Sequence, residues 1–199
     1  MRRLFLLSSA LAAAVVPGGC VQTSVSSLKA SDVSPVGYHR ILVFYPISNL
    51  AERTLVESQF AENSDSSATF VASAALFFPG RQYSRAELRR IVAENHIDAM
   101  LMLGVTDAGV DRGRLPVVAN ASCQDQLLSV SCTAYQTRGG DITKPWAVFT
   151  AQLVDLASEK VVWTAALRSN GSAFNKADDL LRSMAKTTMK KLHEDGVAH

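Results

Sequence analysis

The stretch Ile41-Leu42-Val43-Phe44-Tyr45-Pro46-Ile47 is apolar at nearly every position and lacks the in–out alternation of a strand wetted on one side. Such a run reads as a strand buried on both faces, the kind that parallel sheets use. Residues 97–105, IDAMLMLGV, form a second run of the same kind. Between the two, Asn49 and Glu52 stand at the cap and third positions of a helix whose Leu55, Val56, Gln59 and Phe60 share one face. Residues 63–67 read as a loop, and 69–78 as a further strand ended by Pro79-Gly80. Ser84-Arg85-Ala86-Glu87 is a capping box. Leu88, Ile91 and Val92 then give the next helix an apolar stripe to bury, and Asn95 ends it. Strand, helix, strand, helix, strand in this composition predicts parallel pairing through right-handed crossovers.

The second half changes character. Residues 107–116 are rich in Gly, Asp and Arg and read as an exposed loop, continuing to Asn120. Residues 127–137 alternate enough for a strand, broken by Arg138-Gly139-Gly140-Asp141. Residues 146–156 and 160–168 flank the turn Ala157-Ser158-Glu159 at hairpin spacing. Residues 175–194 form an amphipathic helix. Asp178 and Asp179 lie in its first turn and Lys190, Lys191 and His193 in its last, which suits the helix dipole, and Gly196 stops it. The expected architecture is therefore α/β with a mixed sheet: a βαβαβ first half, then antiparallel hairpin strands and a C-terminal helix.

At 199 residues, with 48% apolar and 19% charged, the chain has room for one domain with a sizeable core. Arg2 and Arg3 account for the whole formal charge of +2, so the rest is neutral. A neutral chain with no basic stripe is a poor nucleic-acid binder, because phosphate neutralisation supplies most of that affinity. The two arginines open a secretory signal. A short apolar region runs from residue 4 to 16, and Pro17-Gly18-Gly19-Cys20 follows. The run is too short to span a bilayer, which takes about 20 residues.

Gly18-Gly19-Cys20 resembles the lipobox of bacterial lipoproteins, with Pro17 where an aliphatic residue is usual. The resemblance implies cleavage after Gly19 and acylation of Cys20; the alternative is ordinary cleavage near Ala12-Ala13-Ala14. Val21, in place of Asp, implies sorting to the periplasmic face of the outer membrane by resemblance to the enterobacterial rule. Arg2-Arg3-Leu4-Phe5-Leu6 also resembles a twin-arginine signal, although the leucine-rich core suits the general pathway. The expected organisation is a signal peptide over 1–19, a Ser-rich flexible tether over 20–38 and a single α/β domain over 39–199. With Cys20 acylated, Cys123 and Cys132 remain as an even pair in an oxidising compartment and are expected to form a disulfide. A metal half-site and two reduced thiols are the alternatives.

Taken in order, several segments resemble one known group. A helix carrying Arg53 and Glu57 follows the first apolar strand, and Ile97-Asp98-Ala99-Met100-Leu101 follows the second helix. Leu153-Val154-Asp155 turns into Val161-Val162-Trp163-Thr164-Ala165, and the last helix ends Leu192-His193-Glu194-Asp195-Gly196. This order is similar to that of envelope lipoproteins related to the curli-secretion lipoprotein and the amino-terminal domain of the TolB translocation protein. The resemblance implies a scaffold or accessory role in envelope assembly or transport, with other envelope proteins or a second copy as partner and no catalytic residues to carry over. The curli member builds a pore from long β-hairpins. The hairpins here read as short and without a lipid-facing alternation, so a channel is not expected.

Other chemistry is sparse. His39, His96, His193 and His199 lack metal-ligand spacing, and no cofactor motif occurs. Ser26-Ser27-Leu28-Lys29 and Ser183-Met184-Ala185-Lys186 match the Ser-x-x-Lys pattern without its partner motifs. Asp98, Asp107 and Asp111 fit no calcium loop. Trp146 and Trp163 read as packing on neighbouring strands. The expectation is a non-enzymatic, membrane-anchored protein that binds its partner through the sheet edge or through the loop carrying Asp111, Arg112 and Arg114. The competing expectation is a small-ligand carrier or enzyme with a pocket at the carboxyl ends of the parallel strands.

Overall fold

The computed structural model describes residues 20–31, 37–64, 68–114, 118–126, 129–137 and 141–198, with side chains from 114 to 140 outside the description. Twelve elements follow in chain order: β1 (Gln22–Lys29), β2 (Arg40–Phe44), α1 (Leu50–Glu62), β3 (Thr69–Ala72), α2 (Ser73–Leu76), α3 (Arg85–Glu94), β4 (Ala99–Arg114), β5 (Val118–Gln126), β6 (Ser129–Thr137), β7 (Asp141–Asp155), β8 (Lys160–Asn170) and α4 (Ala177–Glu194). Six strands form one sheet in the order β1-β8-β7-β4-β2-β3, and β5 pairs with β6 in a second sheet. β2 is parallel to both β3 and β4, and the remaining pairs are antiparallel. The fold is the mixed α/β arrangement that the sequence implied.

The two apolar runs lie at the centre of this sheet. Ile41 and Val43 of β2 and Leu101 and Leu103 of β4 are buried on the face that α1 and α4 cover, together with Phe149, Leu153, Trp163 and Leu167. The helix signals hold where they are local. Asn49 Oδ1 accepts from the N–H groups of Ala51 and Glu52, Ser84 and Glu87 complete their capping box, and Gly196 takes a φ of 62° at the end of α4.

Five expectations need correction. The supposed tether contains β1, which pairs antiparallel with β8 from Gln22↔Asn170 to Lys29↔Trp163. Serine is not a strong strand former, but here the hydroxyls of β1 are fixed from the side. Thr23 Oγ1 lies 2.8 Å from Ser169 Oγ and 2.7 Å from Ser183 Oγ, and Ser27 Oγ donates to Asp195 Oδ2 at 2.7 Å. Lys29 Nζ donates to the carbonyls of Asp195 and Gly196, where α4 leaves unpaired acceptors.

The strand read over 69–78 stops at Ala72, and α2 begins at once. Glu57, fully buried on α1, causes the change. Its carboxylate accepts from Ala74 N–H (2.8 Å), Ser73 Oγ (2.6 Å), Tyr45 N–H (3.1 Å) and Arg53 Nε (3.0 Å). Burying an ion pair costs several kcal/mol, roughly, and charge-assisted bonds at about 1.5–3 kcal/mol each offset it. A carboxylate from one helix thus starts the next.

Residues 107–114 and 118–120 of the supposed loop are strand. β4 runs through Asp107 to Arg114 and pairs with β7 as far as Arg114↔Asp141, with a bulge between Val105 and Asp107. Within the strand read over 127–137, Ser129–Thr137 form β6, which pairs antiparallel with β5. The hairpin system is therefore long. Its faces are mixed even so. Asp111↔Lys144 lies on one face of the ribbon, and Arg112↔Thr143 on the other beside Val110↔Pro145. Neither face of the described ribbon is continuously apolar.

Finally, α3 is only half-buried at Ile91 and Val92. None of its residues is buried, and Leu88 remains 39% exposed. The stripe expected to be buried is covered only in part.

Candidate functional site

Two features emerge, at opposite ends of the sheet. The first is the ribbon of β4 and β7. The last row in which the sheet is still wide joins Gly109, Trp146, Asn170 and Gln22 across β4, β7, β8 and β1. Trp146 is held there between Gly109, where a Cβ would come within 2.8 Å of the indole, and Arg168, whose guanidinium lies 5.1 Å from the ring centroid. Beyond this row only β4 and β7 continue, to the pair Arg114↔Asp141.

Cys20 is exposed and lies two residues before Gln22. The expected anchor and the expected partner-binding residues therefore share one end of the molecule. Asp111 and Arg112 are exposed, opposite Lys144 and Thr143, while the side chain of Arg114 lies outside the described residues. Among the described residues no strand pairs with the outer edge of β4 from Leu103 onward, because β2 ends at Phe44↔Met102. β8 likewise ends at Asn170, and past the bond from Gly171 N–H to the Pro145 carbonyl no strand among the described residues pairs with the outer edge of β7 from Lys144 to Ile142. An open edge is a row of backbone donors and acceptors suited to strand addition. Cys123 is directly opposite Cys132 in the β5–β6 register, and their side chains lie outside the described residues.

The second feature is a groove of about 590 Å³ between α3 and the sheet face that α1 and α4 leave uncovered. Its floor is a cross-strand row, Leu42↔Met100↔Val154, flanked by Phe44 and Leu156. Its roof is one face of α3, Arg85, Leu88, Arg89 and Val92, at the i, i+3, i+4, i+7 spacing of a helix stripe. Phe77, Phe78 and Tyr83 close one side, Phe77 meeting Tyr83 edge-on at 5.5 Å. Phe78 is 74% exposed at the lip. The groove touches the carboxyl end of β2 at Phe44, where a pocket was expected, but runs on beneath α3.

Arginines surround the groove. Arg85 Nη2 and Arg89 Nη2 reach opposite oxygens of Glu159 at 2.7 and 2.9 Å. Their hydrogen bonds hold the Glu159 carboxyl below its usual range. Arg81 pairs with Glu87 at 3.3 Å and lies 4.9 Å from the Tyr83 ring centroid. Arg53 is bound to Glu57 and to Ser73 Oγ, and stacks over Phe44 at 5.1 Å. The sequence signal for this site was the stripe on α3, legible as apolar but not as uncovered.

The other candidates separate. Asp98 Oδ2 accepts from the backbone N–H groups of His39 and Arg40 at 3.0 and 2.9 Å, far along β4 from Asp107 and Asp111. The two Ser-x-x-Lys patterns are parts of the β1–α4 contact through Ser27, Lys29 and Ser183. Trp146 and Trp163 do lie on neighbouring strands, Trp163 buried beneath α4. Among the described residues, no helix is long and apolar enough to cross a membrane, and no group of three His, Cys, Asp or Glu is placed to hold a metal ion.

No protein-family model matches the chain, and no curated protein matches it. Solved structures overlap it loosely. It is similar to a PelC dodecamer from Paraburkholderia phytofirmans, over 83% of this chain and 94% of that one, at 11% identity and a TM-score of 0.43 for the L103M form. It is also similar to the lipoprotein GNA1162 from Neisseria meningitidis, over 78% of this chain and 99% of that one, at 18% identity and a TM-score of 0.40.

Proposed function

We propose that the chain is a non-enzymatic accessory lipoprotein of the bacterial envelope. Acylated Cys20 holds it at the periplasmic face of the outer membrane, and the β4–β7 ribbon receives an extended segment of another envelope protein or of a second copy. The observation that supports this reading is the row Gly109–Trp146–Asn170–Gln22. Cys20 lies at the same end as the strand edges of the ribbon, so a molecule tethered through Cys20 would present those edges close to the bilayer. Strand addition satisfies the exposed backbone groups of β4 and β7, and the mixed charges Asp111, Arg112 and Lys144 select the register of the incoming segment.

The test combines fractionation with site-specific cross-linking. A photo-reactive amino acid at Arg112 of the full chain should yield one discrete cross-linked species in intact cells, and Cys20→Ser should release the protein from the membrane fraction and abolish that species. Retention of Cys20→Ser in the membrane would sink the anchor. A diffuse ladder of abundant lipoproteins at Arg112 would sink the docking edge.

A further inference from the structure

We infer that the groove under α3 is a binding site for a single acyl chain bearing an anionic head group. The inference is independent of the ribbon and of the anchor. Its basis is the fit between an uncovered apolar slot and the charge at its mouth.

An amphipathic helix is normally stabilised by burying its stripe, and here Leu88 stays 39% exposed and Val92 only half-buried, both lining the groove. The opposite wall, buried Leu42 with half-buried Met100 and Val154, is equally apolar, so a matching pair of walls lines the groove. A volume of about 590 Å³ falls within the range of small-molecule pockets, roughly 300–1,000 Å³. A sugar or nucleotide would leave its polar groups unpaired against such walls. A hydrocarbon chain would not.

The mouth selects the head group. Arg85 and Arg89 lie on the same α3 face as Leu88 and Val92, and both already grip one carboxylate, that of Glu159. Two guanidiniums share a single negative charge, leaving one positive charge in excess beside the slot. Both arginines are largely exposed, at 72% and 66%, and can turn to a carboxylate or phosphate, which a guanidinium binds in a two-pronged fashion. The same chemistry could belong to a free fatty acid or to an anionic lysophospholipid.

The experiment uses the full chain in phosphatidylcholine nanodiscs and three diazirine-bearing C16 probes: a fatty acid, a lysophosphatidylglycerol and a fatty alcohol. Adducts are mapped by peptide mass spectrometry. The expected result is saturable labelling of the segment from Leu88 to Met100 by at least one anionic probe, and which one labels identifies the source. Val92→Trp fills the slot and should reduce that labelling at least ten-fold. Arg85→Gln with Arg89→Gln should weaken the anionic probe about five-fold and leave the weaker alcohol labelling unchanged. Circular dichroism confirms that both variants fold. Equal labelling by acid and alcohol, or insensitivity to Val92→Trp, overturns the proposal. So does concentration-dependent self-association that Val92→Trp abolishes, since the slot would then be filled by a second copy.

Discussion

Trp163 donates its indole N–H to Asp195 Oδ2 at 2.8 Å, tying the middle of β8 to the residue that ends α4. The same oxygen accepts from Ser27 of β1, and Oδ1 is paired with Lys191 Nζ at 2.8 Å. One carboxylate therefore fastens a helix end, a central strand and the edge strand that carries the chain away from Cys20. Burial pushes the Asp195 carboxyl up, but the bonds from Lys191, Ser27 and Trp163 outweigh it and hold the group below its ordinary value. Replacing it with Ala should cost about 2 kcal/mol, by the usual worth of hydrogen bonds to a charged group, and should change the emission of buried Trp163. Urea melts followed by tryptophan fluorescence measure both.

The same carboxyl makes stability depend on acid. A group whose folded pKa is lowered contributes in full above its unfolded value, near 3.9, and loses that contribution as pH falls through the folded value. The wild type should therefore lose stability below about pH 4 more steeply than Asp195→Asn. Parallel pH-denaturation curves of the two proteins check the sign.

Glu57→Ala should be among the most damaging single changes. It leaves Arg53, 15% exposed, beside an emptied site and strips Ala74 N–H of its acceptor at the start of α2. Breaking a buried pair from one side costs about 3–5 kcal/mol. Glu57→Gln keeps part of the hydrogen bonding and should cost less. Thermal melts of the two variants decide the order.

Gly109→Val should loosen the ribbon at its root. A Cβ there would come within 2.8 Å of Trp146 Cζ2 and 3.0 Å of Cε2, so the indole must leave its place beneath Arg168. Overpacking of this kind costs roughly 1–3 kcal/mol. Hydrogen exchange should quicken in residues 110–114 and 141–144, while β2 and the core of β4 remain protected.

Cys123 and Cys132 face each other across β5 and β6, and the expected bond between them would close the hairpin. Intact mass should fall by two hydrogens relative to the reduced chain, and Cys123→Ser with Cys132→Ser should lower stability by about 2 kcal/mol. Thiol titration with and without reductant reads the same bond.

The sequence by itself determined what is local or strongly patterned. The apolar runs at Ile41 and Met100, the caps at Asn49 and Ser84 and the charge gradient along α4 all appear where their residues demanded. A helix cap is decided within four residues, and a core strand by its own hydrophobicity. Only the tertiary structure decided the rest. Asp107 to Arg114 have turn-like composition, and both faces of the ribbon meet solvent, so no two-residue alternation marks it; pairing with β7 makes it a strand. β1 reads as a polar spacer until the open edge of β8 and the acceptors at the end of α4 are placed beside it. An apolar stripe on α3 is visible in the residues. Whether it closes on a core or lines a groove depends on where the helix lies against the sheet, and contacts distant in the chain, such as Arg85 and Arg89 with Glu159, are not written in the local pattern.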